Sequence, residues 1–184
     1  MDTGRIRVSS DEPLKRRRVA VLFRLLLFVP HAIALTFAGG AAVVALAIAW
    51  GAAVVAGRVP AGLHRFLATY VRYVGRATAW FFLLSGRYPS GPEHPFQVDV
   101  HDPAIQRRLL LLGRPLLAVP ALVLASALRV VLMLSSIAAW FAGVALGRTT
   151  AGLQELGMFC LRYELEAVAY LLLLTPRYPR LAPE

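Results

Sequence analysis

Arg65, Arg72 and Arg76 stand seven and four residues apart, a spacing that puts all three on one stripe of a helix. Ninety residues further on, the same stripe reads Glu155, Arg162 and Glu166, so two of three cations have become anions. Opposite charges on equivalent faces predict that the two helices pack across a pseudo-twofold axis, with Arg65 and Arg76 facing Glu155 and Glu166. Two other arrangements fit the same residues. The helices could lie separately at an interface with their charges solvated, or line a polar cavity in which Arg72 and Arg162 bind an anion. Exposed ion pairs contribute only about 0–1 kcal/mol, so charge alone does not choose among the three.

The other reactive residue types lead to less. His94, Asp99, His101 and Asp102 form a cluster of metal-ligand types, but the first copy has Gly4, Ser9, Asp11 and Glu12 there, and a solvated linker is the expectation. Cys160 is the single cysteine and lies in an apolar helical stretch where a thiol is inert. His31 follows Pro30 at a helix start and becomes Ala121 in the second copy, as suits a local hydrogen-bonding group. There is no glycine-flanked serine elbow and no phosphate-cradling glycine loop. No enzymatic activity, cofactor or metal is expected.

The elements that carry these residues come in two copies. At an offset of 90, Pro13 falls on Pro103, Arg17-Arg18 on Arg107-Arg108, Arg24 on Arg114 and Val29-Pro30 on Val119-Pro120. Trp50 meets Trp140, Gly57-Arg58 meets Gly147-Arg148, Arg72-Tyr73 meets Arg162-Tyr163, and Arg87-Tyr88-Pro89 meets Arg177-Tyr178-Pro179. Apolar runs align by accident, but tryptophan, arginine, proline and tyrosine do not coincide this often. The units are residues 1–94 and 95–184. Each opens on alternating apolar residues (Ile6 and Val8; Phe96, Val98 and Val100), which predicts a short strand and a small ribbon outside any membrane. Each closes on a helix, Leu63–Ser85 or Leu153–Thr175.

Between them lies the class-defining segment. From Val19 to Gly57 the chain is apolar except for Arg24 and His31. As one helix it would be about 58 Å long, against a hydrocarbon core of about 30 Å. That mismatch predicts a break. The segment is either a tight hairpin turning at Gly39-Gly40, or an interfacial stretch breaking at Pro30. Arg129, at the Gly39 position of the second copy, favours the hairpin, where it would sit at a solvent-facing tip. With arginines in corresponding places, matching ends should face the same side, giving parallel repeats and about four transmembrane helices plus interfacial ones.

Composition agrees with a membrane. The apolar fraction is 58% and mean hydropathy +0.63, more hydrocarbon than a 184-residue soluble fold can hide. A net charge of +10 would suggest nucleic acid in a soluble protein. Here the arginines flank apolar runs without an aromatic stacking platform, so anionic lipid headgroups are the partner and nucleic acid is not. Lys15, Arg16, Arg17 and Arg18, with Arg107 and Arg108, read as orientation signals that hold the N-terminus in the cytoplasm. The run after them is too long for a signal-peptide core, and the arrangement recurs mid-chain. Trp50, Trp140, Tyr88 and Tyr178 fit as interfacial anchors.

The motifs Trp50, Gly57-Arg58, Gly62-Leu63, Arg72-Tyr73, Arg76, Ala79-Trp80, Leu83-Leu84 and Arg87-Tyr88-Pro89, with Val29-Pro30-His31 upstream, resemble one family. It is the bacterial membrane family called domain of unknown function 4389 (DUF4389), and the resemblance covers nearly the whole chain in two copies. It implies a helical protein of the bacterial cytoplasmic (inner) membrane and supplies no activity, substrate or catalytic residue. This chain departs from the family's acidic residue at Arg65, from a basic residue at Glu166, and from an aspartate at Gly86 and Pro176. The resulting expectation is an all-α, multi-pass, non-enzymatic scaffold or accessory component that contacts anionic lipid, a protein partner or another copy of itself. The alternative is a small transporter or channel with a polar cavity along the repeat axis.

Overall fold

The computed structural model describes residues 7–9, 23–86, 88–89, 97–99 and 108–181. Lys15 to Arg18, Arg107, His94, His101 and Asp102 lie outside the described residues. The element order is β1 (Arg7–Ser9), α1 (Arg24–Ala56), α2 (Ala61–Phe81), β2 (Gln97–Asp99), α3 (Arg108–Leu146) and α4 (Ala151–Leu171). Of these four helices, α1 and α3 are long and apolar enough to cross a membrane; α2 and α4 are not in that class.

Neither predicted break exists. α1 runs as one helix of 33 residues through both Pro30 and Gly39-Gly40, and α3 runs for 39 through Pro115 and Pro120. Gly39 has a packing role instead: a Cβ there would stand 3.3 Å from Tyr70 Oη on α2. Arg129 is accordingly not at a tip but well inside α3. α1 ends where Gly57 takes φ 71° and returns its N–H to Ala53 O at 2.9 Å. α3 ends the same way, Gly147 at φ 69° bonding Gly143 O at 3.1 Å. Both are the left-handed caps that glycine adopts without a Cβ penalty.

The α2 and α4 termini use a costlier device. Leu83 and Leu173 both hold φ 62°, a conformation that costs a non-glycine residue roughly 1–2 kcal/mol. The reversed chain satisfies helix carbonyls: Leu84 N–H bonds Ala79 O at 2.9 Å and Leu174 N–H bonds Ala169 O at 3.0 Å. What holds a leucine there is burial, since Leu83 and Leu173 are 4% and 2% exposed. The helices therefore stop four residues short of the expected Ser85 and Thr175.

Each long helix folds back on its short neighbour. Ala42, Ala45, Ala49 and Ala53 form the buried stripe of α1 and join Leu67, Ala68 and Val71 of α2 in the main core. Small side chains at this spacing let helix axes approach closely. The equivalent stripe of α3 is Leu132, Ser135, Ala139 and Gly143, also buried.

The two hairpins are joined by a twofold relation that runs across the helices. The strands pair antiparallel with Val8 opposite Val98, its own equivalent at offset 90, so the axis passes between them. The short helices also run antiparallel: a Cβ at Gly157, near the start of α4, would fall 2.5 Å from Leu84, just past the end of α2. On the long helices, Arg24 near the start of α1 lines one crevice with Trp140 of α3, and Arg114 lines another with Trp50 of α1. A twofold rotation keeps equivalent residues level along its axis. Arg24 is therefore level with Trp140, hence with Trp50, although about 39 Å of helix separates Arg24 from Trp50. α1 and α3 lie across the axis.

The result is layered. α1 pairs with α3, α2 pairs with α4, and the ribbon crosses over, β2 against α2 and β1 against α4. Exposure divides the layers. Among the described helical residues, every large exposed apolar side chain lies on α1 or α3 except Phe66 and Leu156. Only 17% and 22% of the most apolar stretches of α1 and α3 are buried, so neither is a core helix. The polar side chains sit beneath them.

Candidate functional site

At the open end of each hairpin an arginine from the apolar layer is buried against the end of the short helix. Arg24, 5% exposed, donates from Nη2 to Ser85 O at 3.2 Å, and its guanidinium stacks 4.8 Å from the Trp80 ring centre. Arg114, 6% exposed, donates to Thr175 O and lies 4.4 Å from the Tyr170 ring. The position suits a cation: carbonyls at a helix C-terminus carry the negative end of its dipole, and a ring face attracts a guanidinium. Neither arginine stands out in the sequence by spacing. The signal that marks them is an arginine at the same place in two otherwise apolar runs.

Around Arg24 the first repeat builds an aromatic cluster. His31 Nδ1 and Tyr73 Oη share a hydrogen bond of 2.6 Å, His31 packs 4.7 Å from the Tyr88 ring, and Tyr88 meets Trp80 edge-on at 5.3 Å. In the second repeat Ala121 replaces the histidine, and Tyr170 packs edge-on to Tyr178 at 5.5 Å. Tyr88 and Tyr178 remain about two-fifths exposed at the rim.

Each arginine also lines a crevice between the repeats. One, of about 320 Å³, is bounded by Arg24, Phe81 and Leu83 from the first repeat and Ser136, Ile137, Trp140 and Phe141 from the second. Its counterpart, about 360 Å³, is bounded by Arg114, Pro115, Leu171 and Leu173 with Val43, Leu46, Ala47 and Trp50. At offset 90 the two linings correspond nearly residue for residue. Trp50 and Trp140 therefore form crevice walls. The left-handed leucines close the floor, which explains why neither terminus uses glycine. In each crevice an apolar wall carries one cation, and the volumes fall at the small end of the range for ligand sites.

The charged stripe is partly brought together. Antiparallel packing puts Arg76 and Glu166 both near the axis. It places Arg65 and Glu155 at opposite ends of the helix pair: Glu155 lies two residues from Gly157, level with Leu84, whereas Arg65 is about 28 Å of helix away. Both are exposed, so Arg65 does not face Glu155. Arg72, Arg76 and Arg162 are half-buried, and Glu166 is buried and accepts from the Arg180 N–H at 3.4 Å. The ion pair among the described side chains is a different one, Arg129 Nη1 to Glu164 Oε1 at 2.5 Å. Burial pushes the Glu164 carboxyl up, and the Arg129 guanidinium pulls it partly back. Gly39 and Val74 occupy these positions in the first repeat, so the pair belongs to the second alone. Cys160 is buried among leucines of the core.

Fold and site define a helical protein of two equivalent hairpins, with its most apolar surface outward and Arg24 and Arg114 turned inward. Residues 18–92 and again 108–181 match the family described as Domain of unknown function (DUF4389), and the chain belongs to that family in two tandem copies. No curated protein and no solved structure matches it.

Proposed function

We propose that the chain is a non-enzymatic protein of the bacterial cytoplasmic membrane that holds anionic phospholipid at the two inter-repeat crevices. The observation that carries this reading is the paired geometry: twice over, a buried guanidinium stands in an otherwise apolar crevice that opens on an apolar exterior. An acyl chain fits the walls, and a phosphodiester is the natural partner of a guanidinium. Exposed apolar area on this scale marks a surface that water does not contact. The arginines at both hairpin ends suit anionic headgroups. Lipid held in this way would make the chain a scaffold or accessory component.

Native mass spectrometry of the detergent-purified chain, supplied with phosphatidylglycerol, tests it. Two retained lipids are expected for the parent chain and one each for Arg24→Gln and Arg114→Gln. The double variant should bind at least about tenfold more weakly, from the loss of charge-assisted contacts of about 1.5–3 kcal/mol each. Unchanged occupancy in the double variant contradicts the assignment.

A further inference from the structure

The twofold axis also limits how this molecule can sit in a bilayer. α1 and α3 lie across the axis, so only two orientations keep both repeats equivalent to the membrane. If the long helices crossed the bilayer, the axis would lie in the membrane plane at mid-depth. The β1–β2 ribbon sits on that axis, with Val8 facing Val98, and would then be at the centre of the hydrocarbon. Among the described residues the ribbon has two strands, so neither strand has a second neighbour in a sheet. Hydrocarbon does not tolerate open sheet edges, because nothing there satisfies the N–H and C=O groups.

The other orientation sets the axis along the membrane normal. The layers then follow in order: α1 and α3, next α2 and α4, then the ribbon in water. Three observations agree. The outward residues of the first layer are apolar, among them Phe37, Val44, Ile48, Val123, Leu134 and Phe141. One layer of helices is about 10–12 Å thick, which one leaflet of a roughly 30 Å core accommodates. Arg129, midway along α3, points to Glu164 of the second layer with its side chain 49% exposed. That places the ion pair at headgroup depth rather than mid-bilayer. In addition, Arg58 and Arg148 at the closed ends of the hairpins and Arg177 and Arg180 at the open end are all exposed. Arginines at both ends suit ends that share one side of the membrane.

We propose that α1 and α3 form a single face inserted into one leaflet, and that the described chain enters and leaves the membrane on the same side without crossing it. The inference rests on the membrane reading above but concerns the orientation of the molecule, not its ligand.

Single-cysteine variants of the full chain test it, with buried Cys160 changed to Ala. Ala61→Cys and Ala151→Cys place thiols at the closed hairpin ends, and Leu181→Cys places one at the open end; all three sites are exposed. A membrane-impermeant maleimide is applied to intact and then to permeabilised spheroplasts. All three thiols should behave alike, labelled either wholly before or wholly after permeabilisation. Labelling of Ala151→Cys from the side opposite Ala61→Cys and Leu181→Cys, the pattern of long helices that cross with the axis in the membrane plane, or any other division of the three thiols between the two sides, overturns the one-leaflet insertion and leaves membrane residence intact. Recovery of the unsubstituted chain in the soluble fraction, as a monomer or as a dimer through the α1–α3 face, overturns both readings. Oriented circular dichroism of the unsubstituted chain in stacked bilayers needs no variant. Long helices in the plane of the bilayer are expected, and long helices along the normal contradict the proposal.

Discussion

The two repeats share their backbone devices and differ in their interiors. Both end the long helix on a left-handed glycine and the short helix on a left-handed leucine, and both bury an arginine at the end of the short helix. Inside, the first copy has His31, Gly39, Val74 and Arg76 where the second has Ala121, Arg129, Glu164 and Glu166. The comparison separates two kinds of constraint. Features that fix the seam between repeats act in both copies at once and are retained. Polar groups within one hairpin differ between the copies, and two of them bond a partner of their own copy: His31 with Tyr73, Arg129 with Glu164.

The largest effect should come from breaking what the copies share. Leu83→Ala and Leu173→Ala each remove a buried side chain while keeping the left-handed backbone, and about 2–5 kcal/mol of stability is expected to be lost from either. Glycine at the same positions also empties the seam but relieves the backbone, so it should be less harmful than alanine by about 1 kcal/mol. Thermal denaturation in detergent measures both differences. Alanine and glycine variants of equal stability would show that the left-handed conformation carries no cost there.

A smaller effect should come from what the copies do not share. Arg129→Ala strands a buried carboxylate, although half of the arginine is exposed and solvent screens the pair. A loss of about 1–3 kcal/mol is expected. The double change Arg129→Gly and Glu164→Val restores the first repeat's residues and should regain most of it, because replacing a buried pair with apolar groups is often neutral. A double variant no more stable than Arg129→Ala would show that the pair has a role beyond its own satisfaction.

The duplication was legible in the sequence because Trp, Arg, Pro and Tyr recur at one offset, and so was the pairing of an apolar segment with a charged helix. The continuity of α1 was not. Bilayer thickness implies a break at Pro30 or Gly39-Gly40 in a segment this long, but α1 runs through both, and Gly39 serves the approach of Tyr70. The direction of the repeats was hidden for a related reason. Arginines at matching positions look alike whether the axis runs along the helices or across them, and what distinguishes the two is the crevice that Arg24 shares with the far half of α3, together with its counterpart at Arg114. The Arg129–Glu164 pair joins two helices at positions 35 residues apart, and no spacing rule within one helix reveals it.

The central claim is that the repeats meet head to tail across the twofold axis, and a spin-label distance measures this directly. Phe23 and Phe141 are both exposed, the first beside Arg24 and the second in the wall of the Arg24 crevice. With Phe23→Cys and Phe141→Cys labelled in the full chain, the crossed arrangement predicts one short distance, the width of that crevice. Repeats running level with each other would separate the labels by about 42 Å of helix, and a distance near that value would contradict the account.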